Sequence, residues 1–459
     1  MNVNRCATLH NQLFDIGQAG LGTSEPAVRQ NWFAFHGDKA EAVRHRLSPS
    51  LVAFLEQAWK CSGNGHAFFY YAYGLAYPES MWTTHEIEAK DSDSPYRYLT
   101  LYTATNLASH PEGVVFDQET NPAIMRMSIY DMSITQNGRQ KWYPLEDVLN
   151  AWLEMIDSGK VQAVPEHVDV PNSKYDPWIL HPYSEGQLKE TAEVFNSLVD
   201  AIEARLPPTL QPPVSADRAP LLSDAAMDAA NLSRGFARSF FSHAHQPRFC
   251  FIAPGLEVPT AETFPNQPFR ASEDGDEDDE EGRMTIPPVL LFHSAIPFVA
   301  PAPTINRGTR IEPPFSWPYS VMPSYPSGLY LTYTDREAGV EFEDGAKLVL
   351  PYSIGARGFA RTADGARFGE NKEARGTVVQ AHDTFSDLYQ PGYIPFGEQH
   401  DVRLAHVLRE WLKQIEDSQW FVGPEGVIGG MDKWREADTE NGWQDYVIPT
   451  QAIEWTREK

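Results

Sequence analysis

The sequence has no long apolar run. Nowhere do about 18 apolar residues follow one another, the length an ordinary membrane span needs, so no span is expected. Cysteine is scarce. Cys6, Cys61 and Cys250 stand far apart, odd in number and with no CxxC pair. That spacing argues against a disulfide framework or a structural zinc site, and it fits a reducing cytoplasm. Met1 to Gly22 lacks a basic segment followed by an apolar one, so no secretory signal is expected.

Basic residues are few: 37 Lys and Arg face 63 Asp and Glu, a formal charge of −26. Eight of the nine residues Glu273–Glu281 are acidic, and without them the chain still carries −18. Such a surface repels phosphate backbones and anionic lipids, so neither nucleic acid nor a membrane is expected as partner. A small-molecule ligand or a basic protein partner remains open. The nucleophile elbow GxSxG, the zinc helix HExxH, the Walker loop and the kinase motifs are all missing, and no motif names a cofactor.

What the sequence does contain is internal resemblance across its 459 residues. Phe68–Pro78 and Phe249–Pro259 are aromatic runs that share Phe, Ala, Gly, Leu and Pro in constant register, each closed by Gly-Leu-x-x-Pro. They read as buried strands entering turns. A helical segment precedes each, Leu51–Trp59 and Ala225–Phe241, the second after a Ser223 suited to cap it. Tyr98–Thr103 resembles Leu329–Thr334, Gly113–Phe116 resembles Gly339–Phe342, and further strands are expected at Ala123–Tyr130 and Ala346–Tyr352. Val148–Ile156 matches Val407–Ile415 without a gap as far as Lys174 and Lys433. Val148, Leu149, Trp152, Leu153 and Ile156 trace one apolar helix face.

These matches predict an α+β protein made of two diverged copies of a helix–antiparallel sheet–helix unit packed together. The first repeat, with an N-terminal extension and a following amphipathic helix (Glu185–Leu206), takes residues 1–206. A Pro-rich linker follows at 207–221, and the second repeat fills 222–459. The second copy carries an acidic, Pro-rich insertion at about 264–326. The prolines of its tail, from Pro297 to Pro326, predict no regular structure there, while Phe298, Phe315, Trp317 and Tyr319 need cover, which places the tail along the surface.

Several short motifs suggest chemistry. Gly17–Gly22 has glycines without the dinucleotide-binding order and reads as a flexible turn. His243 and His245 could chelate a metal on a strand, but their place after a helix makes dipole-favoured imidazoles the simpler reading, and no metal site is expected. His85-Glu86-x-Glu88, Glu398-x-His400-Asp401, and the acidic pairs Asp91/Asp93 and Asp274/Asp276 are each explained by solvated polar residues.

The segment with the strongest claim is Gly355–Glu370, which crowds three arginines among glycines in a chain short of base. Guanidinium forks bind carboxylate or phosphate, and glycine lets a ligand approach the backbone. Arg357, Arg361, Arg367 and Gly358 are therefore the expected ligand-binding residues, with Asp335, Asp364 and Glu370 as acid–base or orienting carboxylates. The competing reading is a β-hairpin turning at Asp364-Gly365. The functional expectation is a cytoplasmic enzyme or small-molecule-binding protein with one site near the junction of the repeats. The alternative is a non-catalytic interaction or scaffold protein using its acidic and Pro/aromatic insertion.

Overall fold

The computed structural model describes residues 1–22, 28–60, 66–82, 94–105, 112–126, 142–165, 168, 174–211, 218–270, 286–299, 311–312, 314–315, 319, 322–335, 341–363, 365–368, 384–391 and 401–449. The protein mixes helices with several sheets, as an α+β reading requires. Among the described residues no helix is long and apolar enough to cross a membrane.

Helix α1 (Val3–Gly20) starts where the Asn2 side chain accepts from the Arg5 N–H. Its last turns contain Gly17, where a β-carbon would meet the Trp178 indole at 3.0 Å, and Gly20, where one would meet Ala163 at 2.3 Å. The glycines expected to form a flexible turn thus end a helix and let it lie tightly on its neighbours. Strand β1 (Gln30–Asn31) leads into α2 (Trp32–His36), α3 (Asp38–Val43) and α4 (Pro49–Leu55), the last capped by Ser48. Strand β2 (Trp59–Lys60) pairs antiparallel with β1.

An antiparallel meander follows: β3 (Ala72–Leu75), β4 (Tyr98–Ala104), β5 (Gly113–Asp117), β6 (Pro122–Arg126) and β7 (Tyr143–Pro144), in that spatial order. Helix α5 (Leu145–Asp157) packs on it with Trp152 fully buried. Strands β8 (Val161–Ala163), β9 (Lys174–Tyr175) and β10 (Trp178–Leu180) complete this half as a small sheet.

Helix α6 (Glu185–Glu203) opens with a reciprocal capping box between Ser184 and Gln187. Its apolar residues Leu188, Phe195, Leu198 and Ile202 lie in the core of the second half, although the sequence division at residue 206 groups it with the first. The expected helix Ala225–Phe241 is two, α7 (Asp224–Ala229) and α8 (Phe236–His243), separated by Asn231 and Gly235 at positive φ. Ser223 caps α7 as expected.

Among the described residues the larger sheet has nine strands. In chain order they are β11 (Phe251–Ala253), β12 (Leu256–Glu257), β13 (Val289–Val299), β14 (Ile311–Glu312), β15 (Ser324–Asp335), β16 (Glu341–Ile354), β17 (Thr384–Asp387), and, after helix α9 (Leu404–Glu416), β18 (Val422–Gly423) and β19 (Gly426–Val427). Across the sheet the order is β14-β17-β16-β15-β13-β12-β11-β19-β18.

The Pro-rich tail expected to hold no regular structure supplies the last residues of the 11-residue strand β13 and the first of β15. Pro297 is accommodated because it faces Pro326 across the β13–β15 ladder, so two residues without an N–H share one rung. Phe315 and Tyr319 pack with Phe269, Phe298, Tyr325 and Tyr330 on the sheet, as their need for cover predicts; Trp317 and the acidic run lie outside the described residues. Because β13 intervenes, Leu329–Thr334 lies one strand farther from the first strands of its sheet than Tyr98–Thr103 does.

The registers of the two meanders run in step. Gly113 of β5 pairs with Thr103 and Arg126, and Gly328 of β15 with His293 and Val349. Each needs glycine, since a β-carbon would sit 2.0 Å from the Tyr102 carbonyl oxygen in one and 2.3 Å from that of Phe292 in the other. The ladder slips between Thr100 and Tyr102 in β4, and between Leu290 and Phe292 in β13. Helices α5 and α9 are both 13 residues long, and Trp152 and Trp411 are both fully buried.

The halves meet where Lys160 donates to the Pro182 carbonyl at 2.6 Å and lies 3.9 Å from the Phe342 ring centroid. Phe342 belongs to the first core, while its neighbour Glu343 takes the Phe236 N–H at 2.7 Å.

One buried histidine makes the first core pH-sensitive. His10 is 1% exposed, bonded through Nδ1 to the Tyr102 hydroxyl (2.7 Å) and through Nε2 to the Trp59 carbonyl (2.8 Å). Burial lowers its pKa from 6.5 to about 4. Between those values the unfolded chain takes up a proton that the folded protein excludes. Stability should therefore fall as pH drops through the window, by up to about 1.4 kcal/mol per pH unit from this group. Urea unfolding of the wild type and His10→Gln across that range checks it: the variant should be less stable but lose this share of the slope.

Candidate functional site

The Gly/Arg segment forms a loop after β16. Gly355 and Gly358 take φ of +101° and +79°, conformations glycine tolerates, and the backbone curls so that its N–H groups converge. They converge on a residue of the same chain. The Asp438 carboxylate, on a 3-10 segment (Met431–Asp438), accepts from the N–H groups of Gly355, Arg357, Phe359 and Ala360 at 2.8–3.0 Å. Asp438 is 5% exposed. The loop's backbone cradles an anion, and that anion is internal.

The arginines point to different tasks. Arg361 donates to the carbonyls of Gly358, Phe359 and Ala360 (2.7–3.2 Å) and lies 4.9 Å from the Trp443 ring centroid, bracing the loop. Arg367 is exposed and pairs by backbone with Arg361, and Gly365 between them takes a positive φ. Arg357 is exposed. Asp335 sits at the end of β15 opposite Glu341, and Asp364 and Glu370 lie outside the described residues.

A second polar centre lies where α6 meets α9, close to the junction of the halves. Arg403 places Nε 2.7 Å from the Asp344 carboxylate and Nη2 3.1 Å from that of Glu190, whose other oxygen takes Arg409 at 2.7 Å. Asp344 is 1% exposed. Burial opposes ionisation of Glu190, yet Arg403 and then Arg409 outweigh it and hold its pKa below the ordinary value. Burial, followed by repulsion from Arg403 and Arg409, pushes His406 down to about 3, so it is neutral at physiological pH. One turn along, a groove of about 390 Å³ opens between the helices, lined by Lys189, Glu190, Glu193, Val194, Arg409 and Leu412.

The remaining sequence candidates separate cleanly. His243 ends α8 with Nδ1 2.7 Å from the Ser239 carbonyl, and the His245 N–H bonds Asn196. Among the described residues no cluster of three His, Cys, Asp or Glu could hold a metal. His85, Glu86, Glu88, Asp91, Asp93, Asp274, Asp276, Glu398 and His400 lie outside the described residues, while Asp401 takes the Thr332 hydroxyl at 2.5 Å and pairs with Lys347 at 3.3 Å. Sequence reasoning passed over Asp438, Glu190, Asp344, Arg403 and Arg409. A basic pair six residues apart at the head of an apolar helix was the available signal for the last two.

Compared with protein-family models, curated proteins and solved structures, the chain matches none.

Proposed function

We propose that this protein binds a small molecule bearing an anionic group, in the groove between α6 and α9 beside the junction of its halves. The groove itself carries the reading. Val194 and Leu412 offer apolar contact, and the positive charge comes from Lys189, 3.8 Å from Glu193, and Arg409, bonded to Glu190. Glu190, pinned from beneath by Arg403, holds Arg409 in place. A guanidinium has five N–H groups, so the single bond to Glu190 leaves donors for a carboxylate or phosphate. The carboxylates expected at Asp335, Asp364 and Glu370 form no part of this reading.

Thermal-shift measurements with succinate, glutamate and inorganic phosphate at millimolar concentration test it. At least one should raise the melting temperature, and Arg409→Gln should abolish that rise while Arg357→Gln leaves it unchanged. If the response instead vanishes in Arg357→Gln and Arg367→Gln and survives in Arg409→Gln, the ligand belongs to the Gly355–Phe368 loop. No response to any probe sinks both.

The interaction-protein reading has one observation in its favour. At the sheet edge the Ile428 N–H bonds the Phe421 carbonyl, and both side chains stand out of the surface, 59% and 69% exposed. Apolar residues so placed suit a partner's surface.

The groove also has a lineage. The reading that supports it best is duplication with β4 matched to β13, β5 to β15 and β6 to β16, because glycines, ladder slips and cross-strand partners then fall together. In this match α1 corresponds to α6, so the second unit starts near residue 185, and the α1–α5 contact from Arg5 to Asn150 stands where Glu190 meets Arg409. The ligand groove is then the second copy's elaboration of a helix contact present in both.

A further inference from the structure

We infer that Lys60 is an amine nucleophile that captures small aldehydes of aromatic or apolar body, at a site in the first half unconnected with the α6–α9 groove. Lys60 lies on β2, and its Nζ donates to the Leu75 carbonyl at 2.6 Å. Aromatic faces flank it: the Tyr77 ring centroid is 4.5 Å from Nζ and that of Phe35 is 5.6 Å. The His36 ring stands edge-on to both, 4.8 Å from Phe35 and 5.2 Å from Tyr77, and its Nε2 is buried with no hydrogen-bond partner among the described residues. Tyr77 is 54% exposed, so the cluster opens to solvent on that side.

The enclosure tells on the amine. No carboxylate pairs with Lys60 among the described residues; Glu79, whose charge acts on His36, bonds Lys39 at 2.8 Å. Burial therefore acts unopposed and lowers the Lys60 pKa from 10.5 to about 8. His36 is likewise lowered to about 4, by burial first, then by Lys60. At neutral pH about a tenth of the amine is then unprotonated, far more than for an ordinary lysine, beside a neutral imidazole.

Capture runs as ordinary imine formation. The Nζ lone pair bonds the aldehyde carbon while the carbonyl π pair moves to oxygen. A proton passes from nitrogen to that oxygen, with the unpartnered His36 Nε2 as its relay. The carbinolamine then expels water and leaves a C=N bond, and no oxidant or reductant is needed. The Tyr77 and Phe35 faces supply apolar contact for the ligand body. A lysine merely capped by aromatics has the same contacts but no preferential chemistry, and that difference is measurable.

The full-length protein, incubated with benzaldehyde and cyanoborohydride at neutral pH and mapped by peptide mass spectrometry, tests the inference. Lys60 should be alkylated at least about tenfold faster than the exposed Lys39 and Lys189, because a far larger fraction of it is unprotonated. Its rate should rise with pH around a midpoint near 8. Lys60→Arg should remove the adduct, and His36→Gln should slow capture without moving the midpoint. Labelling of Lys60 no faster than Lys39 and Lys189, or a midpoint in the ordinary lysine range, overturns it, and both are read on the wild type without any variant having to fold.

Discussion

Asp438→Ala is expected to cost about 3–5 kcal/mol of stability, read as a lowered urea midpoint with an unchanged slope. The reason is arithmetic in donors rather than packing. One carboxylate satisfies four backbone N–H groups inside the protein, and nothing else in the loop can take them. Asp438→Asn should fare little better, since its amide nitrogen would turn two hydrogens toward groups that are themselves donors. The cradle should nevertheless keep its shape well enough to accept a free ion. Acetate or formate should therefore raise the melting temperature of the alanine variant and leave the wild type unmoved. A variant as stable as the wild type, or one indifferent to both ions, removes the claim that the loop is an anion receptor with a tethered occupant.

Arg403→Met should be as damaging, at about 3–5 kcal/mol, because it strands the Asp344 carboxylate at 1% exposure. Asp344→Leu should cost less, since Arg403 then keeps Glu190 at 3.1 Å. The double variant should recover most of the loss, as buried ion pairs often do when both partners become apolar. A denaturation double-mutant cycle gives the coupling directly, and additive losses would show that the two side chains do not depend on each other.

Much of the fold is legible in the sequence. The apolar faces around Trp152 and Trp411, the Ser223 cap and the aromatic runs at Phe68 and Phe249 each follow from local rules of period, capping and turn chemistry. Strand β13 escaped for a physical reason. Proline's missing N–H counts against a strand only if its partner needs that bond, and the partner of Pro297 is Pro326, far away in sequence. The site was legible by half. Arginine and glycine content pointed to an external anion held by guanidinium groups, whereas backbone N–H groups hold Asp438, on a segment that only tertiary packing brings near. Charge counting likewise could not reveal Arg403 and Asp344, because a buried pair looks in sequence like any two surface charges. Lys60 carries no local mark at all; its character comes from Phe35, His36 and Tyr77 closing around it.

The parallel contact of β11 with β19, Phe251 beside Gly426, sets an order of events during synthesis. The first meander pairs only near neighbours and has all its partners once residue 180 has left the ribosome. The second cannot join its middle to its edge until residues 422–427 emerge, so its β11 waits, half-paired, through most of the remaining translation. A nascent chain stopped short of Val422 should thus hold one finished half and one awaiting closure, distinguishable by protease resistance.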